Sequence, residues 1–144
     1  MKITGCGNKR GNNLIEFSFL LPWYVFLFVG ALDSGFYGYS LIAVQNAARI
    51  GAMYTSSNSA NVADSTTACG YAIDQLASLP NVGSSVTTCS GTPVTVTATS
   101  VTGPDSQAAT SVSVSYTTPQ LIPIPGLLPG KVTISRAVEM AVRR

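Results

Sequence analysis

The sequence predicts an α+β protein: a long N-terminal helix, apolar enough to enter a membrane, leads into a small extracytoplasmic domain with a second helix packed on an antiparallel sheet. Three observations predict it. An almost unbroken apolar stretch runs from Phe17 to Leu32, an apolar stripe at helical spacing runs from Cys69 to Leu79, and three segments after Pro93 alternate β-branched residues at period two.

The chain of 144 residues leaves room for one modest domain plus an appendage. Only 10% of residues are charged, well below the usual quarter, so the surface is polar but largely uncharged. Three of the 8 basic residues, Lys2, Lys9 and Arg10, precede residue 12, which leaves the remainder close to neutral. No basic face clusters for phosphate binding, and nucleic acid is not an expected partner. Histidine is absent, removing the commonest general base near neutral pH and the commonest transition-metal ligand. An enzyme is not expected, and neither a catalytic set, a cofactor nor a metal site is assigned. Asp64 and Asp74 are the one imaginable acid pair, but ten residues apart on a helix they stand nearly opposite in phase, so both are expected to be solvated surface residues.

Residues 1–11 read as a cytoplasmic leader and 12–36 as a transmembrane segment. Roughly 20 apolar residues cross a bilayer as a helix, and the Leu14–Phe36 stretch is adequate for that. Basic residues precede it and none follows until Arg49, so the positive-inside rule places the N-terminus in the cytoplasm and everything after residue 36 on the far side. A cleaved signal peptide has the same charge order. Its apolar core is shorter, however, and Gly30-Ala31-Leu32-Asp33 is not a clean small-x-small site. Pro22 is expected to kink or loosen the helix, since it cannot donate to the carbonyl of Ser18.

Residues 37–54 read as a continuation of the helix beyond the membrane, with Tyr39, Ile42, Ala43, Ala47, Ile50 and Tyr54 as its apolar stripe and Arg49 on the polar side. Residues 55–144 form the distal domain. A Ser/Asn-rich turn from Thr55 to Ala60 precedes a helix whose apolar face is Cys69, Ala72, Ile73, Leu76 and Leu79, ended by Pro80. Strands follow at Pro93–Val101, Thr110–Thr117 and Lys131–Ser135, the first two joined by a turn at Gly103-Pro104-Asp105. A domain of about 90 residues has a thin core. A disulfide between Cys69 and Cys89 would close a loop of about 20 residues, worth roughly 3 kcal/mol; two free buried thiols are the alternative. Residues 119–129 are apolar but too rich in proline for helix or sheet interior, and serve either as a docking surface or as a flap folded back on the sheet.

The most informative run is Lys9-Arg10-Gly11-Asn12-Asn13-Leu14-Ile15-Glu16. A basic pair, a glycine and a glutamate five positions later at the mouth of an apolar helix resemble the processing site of type IV pilins. Leu21-Pro22, Asp33-Ser34-Gly35 and Gln45-Asn46-Ala47-Ala48-Arg49-Ile50-Gly51-Ala52 are similar to the TadE-like family of minor pilins (pseudopilins) in tight-adherence, Flp-type pilus systems. More loosely, so is the C-terminal stretch with its final strand from Lys131 to Val142. The resemblance implies cleavage after Gly11 by a prepilin peptidase, leaving Asn12 as the new N-terminus. It also implies that Glu16 sets subunit register by pairing with a neighbour's N-terminal amine. The implied partners are the lipid bilayer, the peptidase, other pilin-like subunits and the pilus assembly platform. The implied location is the bacterial inner membrane, single-pass, with the C-terminal domain periplasmic or extracellular, or carried within the pilus. A carboxylate inside an apolar helix fits this role, because it costs an estimated 2.5–3.5 kcal/mol at the bilayer centre, less near an interface, and is usually retained for a partner. The competing function is an uncleaved, membrane-anchored extracytoplasmic binding module.

Overall fold

A computed structural model describes residues 9–83, 86–120 and 130–143. Lys2 and Cys6 of the leader, and residues 121–129 of the proline-rich connector, lie outside the described residues. Helix α1 spans Lys9–Thr55, with Pro22 inside it. A 3-10 turn at Ser59–Asn61 and helix α2, Ser65–Leu76, follow, then strands β1 (Ser90–Gly91), β2 (Val94–Thr102), β3 (Ala108–Thr117) and β4 (Thr133–Ala141). Among the described residues this is an α+β fold, and the Leu14–Thr55 part of α1 is long and apolar enough to cross a membrane. Internal contacts divide the chain into two compact units, one ending at Phe36 and the other beginning at Tyr37.

In the second unit the strands form one antiparallel sheet in the order β1-β2-β3-β4. Alternation sets its two faces. Val94, Val96 and Ala98 of β2 stand opposite Tyr116, Val114 and Val112 of β3, and Tyr116 and Val112 stand opposite Ile134 and Val138 of β4. These side chains line the helix-facing side, where Val94, Val112, Val114 and Tyr116 are fully buried. Burying each such valine contributes about 1.5–3 kcal/mol. Hydroxyls occupy the other face, with Ser115 donating to Ser135 at 3.0 Å and Thr117 paired with Thr133 at 3.2 Å. The β2–β3 turn closes through Gly103 N–H on the Gln107 carbonyl at 2.8 Å, with Ser106 in the left-handed region at φ 60°.

Both helices contribute to the core. On α2, Ala68, Cys69, Ala72 and Leu76 are buried. On α1 the buried positions are Ser40, Val44, Ala47, Ala48, Gly51, Ala52 and Thr55. The apolar stripe read from the sequence is only partly this face: Ala47 is buried and Ala43, Ile50 and Tyr54 are half-buried, but Ile42 is 64% exposed and Tyr39 51%. The physical reason is close approach. A helix set tightly on a sheet presents small side chains, and large apolar residues beside that face are turned outward.

Two boundaries also differ from expectation. Helix α2 ends at Leu76 rather than running to Pro80, and Leu79 reaches the core from the following turn, where its N–H donates to the Leu76 carbonyl at 2.8 Å. Strand β4 starts at Thr133 and runs to Ala141, past the Ser135 limit read from alternation but within the Lys131–Val142 strand that the family resemblance implied. Its second half carries Arg136 and Glu139, which hide the alternation. β4 is an edge strand, and Arg136 on the helix-facing side opposite Val114 is exposed, a placement that discourages pairing with another strand.

Candidate functional site

In the first unit every apolar side chain from Leu14 to Phe28 is exposed, with Leu14 at 70% and Phe19 at 79%. Apolar residues surround the helix rather than marking one face, the pattern of a helix solvated by lipid or by other helices. Its two serines are satisfied locally: the Ser18 hydroxyl donates to the Leu14 carbonyl and the Ser34 hydroxyl to the Gly30 carbonyl, each at 2.8 Å. In hydrocarbon such back-bonding removes a cost of several kcal/mol for an unsatisfied group. The Ser18 carbonyl faces Pro22, which has no N–H to offer, yet the helix continues through.

The backbone at Gly11 and Asn12 is already helical, because α1 begins at Lys9. Positions 12 and 16 are therefore related as i and i+4, one turn apart on the same helix face. Glu16 is exposed there. The first turn contains no acidic residue and instead opens with Lys9 and Arg10, whose charge opposes the positive end of the helix dipole. Asp33, the other acid of the span, is half-buried within the described helix.

In the second unit Cys69 and Cys89 form a disulfide, with a Cα–Cα distance of 5.7 Å. It fastens the buried face of α2 to the segment entering β1. Asp64 lies at the surface, as expected, and in addition caps α2: its carboxylate accepts the N–H groups of Thr66 and Thr67 at 3.1 and 3.0 Å. The Thr67 N–H, the Thr67 hydroxyl, the Tyr54 hydroxyl and the Thr66 N–H together hold the Asp64 carboxyl below its ordinary range, against a smaller opposing effect of desolvation. The signal was present in the sequence as Asp64-Ser65-Thr66-Thr67 ahead of an apolar-periodic run. Asp74 is exposed and takes no part in the cap. Among the described residues no group of three His, Cys, Asp or Glu side chains is placed to hold a metal.

Two further polar groups went unrecognised in the sequence. Buried Thr110 on β3 places its hydroxyl 2.9 Å from the Val62 carbonyl and 3.0 Å from the Thr55 hydroxyl, joining the sheet to the end of α1. Tyr116 donates to the Pro80 carbonyl at 2.7 Å, and burial pushes its phenol upward from the ordinary value. Neither threonine nor tyrosine in an alternating strand announces such a partner.

Residues 14–53 match the family model described as TadE-like protein. The match covers the apolar helix and most of its continuation onto the core, including Glu16, Pro22, Asp33 and Arg49; α2 and the sheet lie outside it. No curated protein and no solved structure matches the chain.

Proposed function

We propose that this chain, TadE-like over residues 14–53, is a pilin-like structural component of a tight-adherence pilus, cut after Gly11 by a prepilin peptidase and then incorporated into the pilus or used to prime it. One observation carries the reading: the family match coincides with the helix whose exposed surface is apolar all round from Leu14 to Phe28. Such a surface requires lipid before assembly and neighbouring helices after it.

The other features fit that sequence of events. Lys2, Lys9 and Arg10 hold residues 1–11 on the cytoplasmic side of the inner membrane, residues 12–36 span it, 37–54 extend the helix, and 55–144 form the periplasmic or extracellular domain. The Cys69–Cys89 disulfide agrees with an oxidising compartment for that domain. Cleavage after Gly11 creates an α-amino group on Asn12. In this reading a neighbouring subunit's Glu16 pairs with that amine, and low dielectric makes the pairing selective.

The N-terminus of the native membrane-bound chain tests the proposal. Mass spectrometry is expected to find a chain beginning at Asn12. An intact leader, or a start near Ser34 as signal-peptide cleavage would leave, overturns it.

A further inference from the structure

A groove of about 350 Å³ lies in the second unit between α1 and the end of β4, lined by Arg49, Met53, Ser56, Met140, Ala141 and Arg143. Its two charged lining groups are both guanidiniums, and no carboxylate lines it among the described residues. Beyond the apolar span the chain has few cations, namely Arg49, Lys131, Arg136, Arg143 and Arg144. Gathering two of them in one groove opposes Coulomb repulsion and produces a site complementary to an anion. Between them the methionines supply soft apolar surface, Met53 being 56% exposed. The combination suits a carboxylate beside an apolar side chain better than a bare phosphate.

The chain carries such a pair. Of its acids beyond the span, Asp64 caps α2 and Asp105 accepts the Gln107 N–H in the β2–β3 turn, while Glu139 is exposed on the hydroxyl face of the sheet, opposite Ser111 and with no large apolar side chain beside it. Asp74 remains, exposed on α2 and one turn beyond Tyr71, which is 44% exposed. An aromatic ring and a carboxylate at i and i+3 share a helix face, matching methionine to ring and guanidinium to carboxylate.

We propose that the Arg49–Arg143 groove of one copy receives the Tyr71–Asp74 face of α2 from a second copy of this chain. The inference rests on the reading of the chain as an assembly subunit and names its partner. Neither Tyr71 nor Asp74 lines the groove, so the contact joins two different patches. Unless it is made reciprocally across a two-fold axis, such a contact passes from copy to copy, as an assembly subunit requires.

The test uses the full-length chain in its membrane, with a photo-crosslinking amino acid in place of Met53. The expected product is a homodimer adduct whose cross-linked peptide contains Tyr71 and Asp74. Paired reversal Arg49→Glu with Arg143→Glu, or Asp74→Arg alone, is expected to reduce the adduct about tenfold, and co-expression of the two reversed chains to restore it. Formation of the Cys69–Cys89 bond on a non-reducing gel verifies that each variant folds. An adduct only with another protein or with lipid, or a homodimer adduct indifferent to the reversals, overturns the proposal. The N-terminal mass of the same material reports separately on trimming after Gly11, so failure of this contact and failure of the pilin reading are told apart.

Discussion

Gly51 of α1 lies against Val112 of β3 so closely that a β-carbon at position 51 would stand 3.1 Å from Cγ1 of Val112. Val112 is fully buried, and its strand is held between Ala98 of β2 and Val138 of β4, which opposes its retreat. Gly51→Ala gains up to about 1 kcal/mol of helix propensity, while overpacking a core costs roughly 1–3 kcal/mol. The expected net result is a loss of about 1 kcal/mol in unfolding of the detergent-solubilised chain. Adding Val112→Ala is expected to cost less in the Gly51→Ala background than in the wild type. A stabilised Gly51→Ala variant would show that β3 yields.

The same contact explains what the sequence could and could not reveal. Strands β2 and β3 were legible because valine alternates with threonine or serine along them, and α2 because Cys69, Ala72 and Leu76 recur at helical spacing. The inward face of α1 was not, because Ser40, Gly51 and Thr55 score as polar or neutral although close packing selects them for size. Ile42, apolar and outward, misled in the opposite direction. The Gly11–Glu16 pattern was visible as residue types at a spacing, and the role proposed for it lies between chains, where the packing of one chain does not report.

Removing the disulfide tests how far the distal domain depends on it. Cys69 and Cys89 are 20 residues apart in sequence. Chain-entropy bookkeeping for a loop of that size predicts that Cys69→Ser with Cys89→Ser costs about 3 kcal/mol. The thermal midpoint is expected to fall accordingly, and the wild type to fall with it on treatment with a dithiol reductant. A reductant-insensitive midpoint would mean that the helices and sheet suffice.

Asp64 predicts a particular acid response. Its folded-state pKa is lowered from the ordinary 3.8, chiefly by the Thr67 N–H. The charged cap therefore contributes fully above 3.8, and its contribution is lost as pH falls through the depressed folded value. Asp64→Asn retains an N-cap acceptor but does not titrate. Stability of the wild type is expected to decline more steeply below pH 3.8 than that of Asp64→Asn. Parallel curves would assign the acid response elsewhere.

Tyr116 predicts the opposite limb. Burial raises its pKa above 10.0, so the neutral phenol stabilises the fold below that pH and the benefit is lost as pH rises through the raised value. Tyr116→Phe removes the hydrogen bond to the Pro80 carbonyl and is expected to cost about 1 kcal/mol at neutral pH. It is also expected to flatten the alkaline decline, measured by unfolding at pH 8 to 11. An undiminished decline would exclude Tyr116 as its source.

Glu16 separates pairing from anchoring. A carboxylate costs an estimated 2.5–3.5 kcal/mol at the bilayer centre, so removing its charge cannot impair insertion on energetic grounds. Glu16→Gln keeps the size and hydrogen-bonding reach of the side chain and eliminates only the charge offered to an α-amino group. If a neighbouring subunit's Asn12 amine is the partner, the variant inserts and is trimmed after Gly11 as usual, yet its recovery in sheared pili falls at least about tenfold, because the remaining ammonium is left without a counter-charge in low dielectric. Normal recovery of Glu16→Gln would remove charge pairing as the source of register. Loss of trimming with insertion intact would instead assign Glu16 to recognition by the peptidase, and the two results are read from one preparation by mass spectrometry and by counting the chain in sheared and membrane fractions.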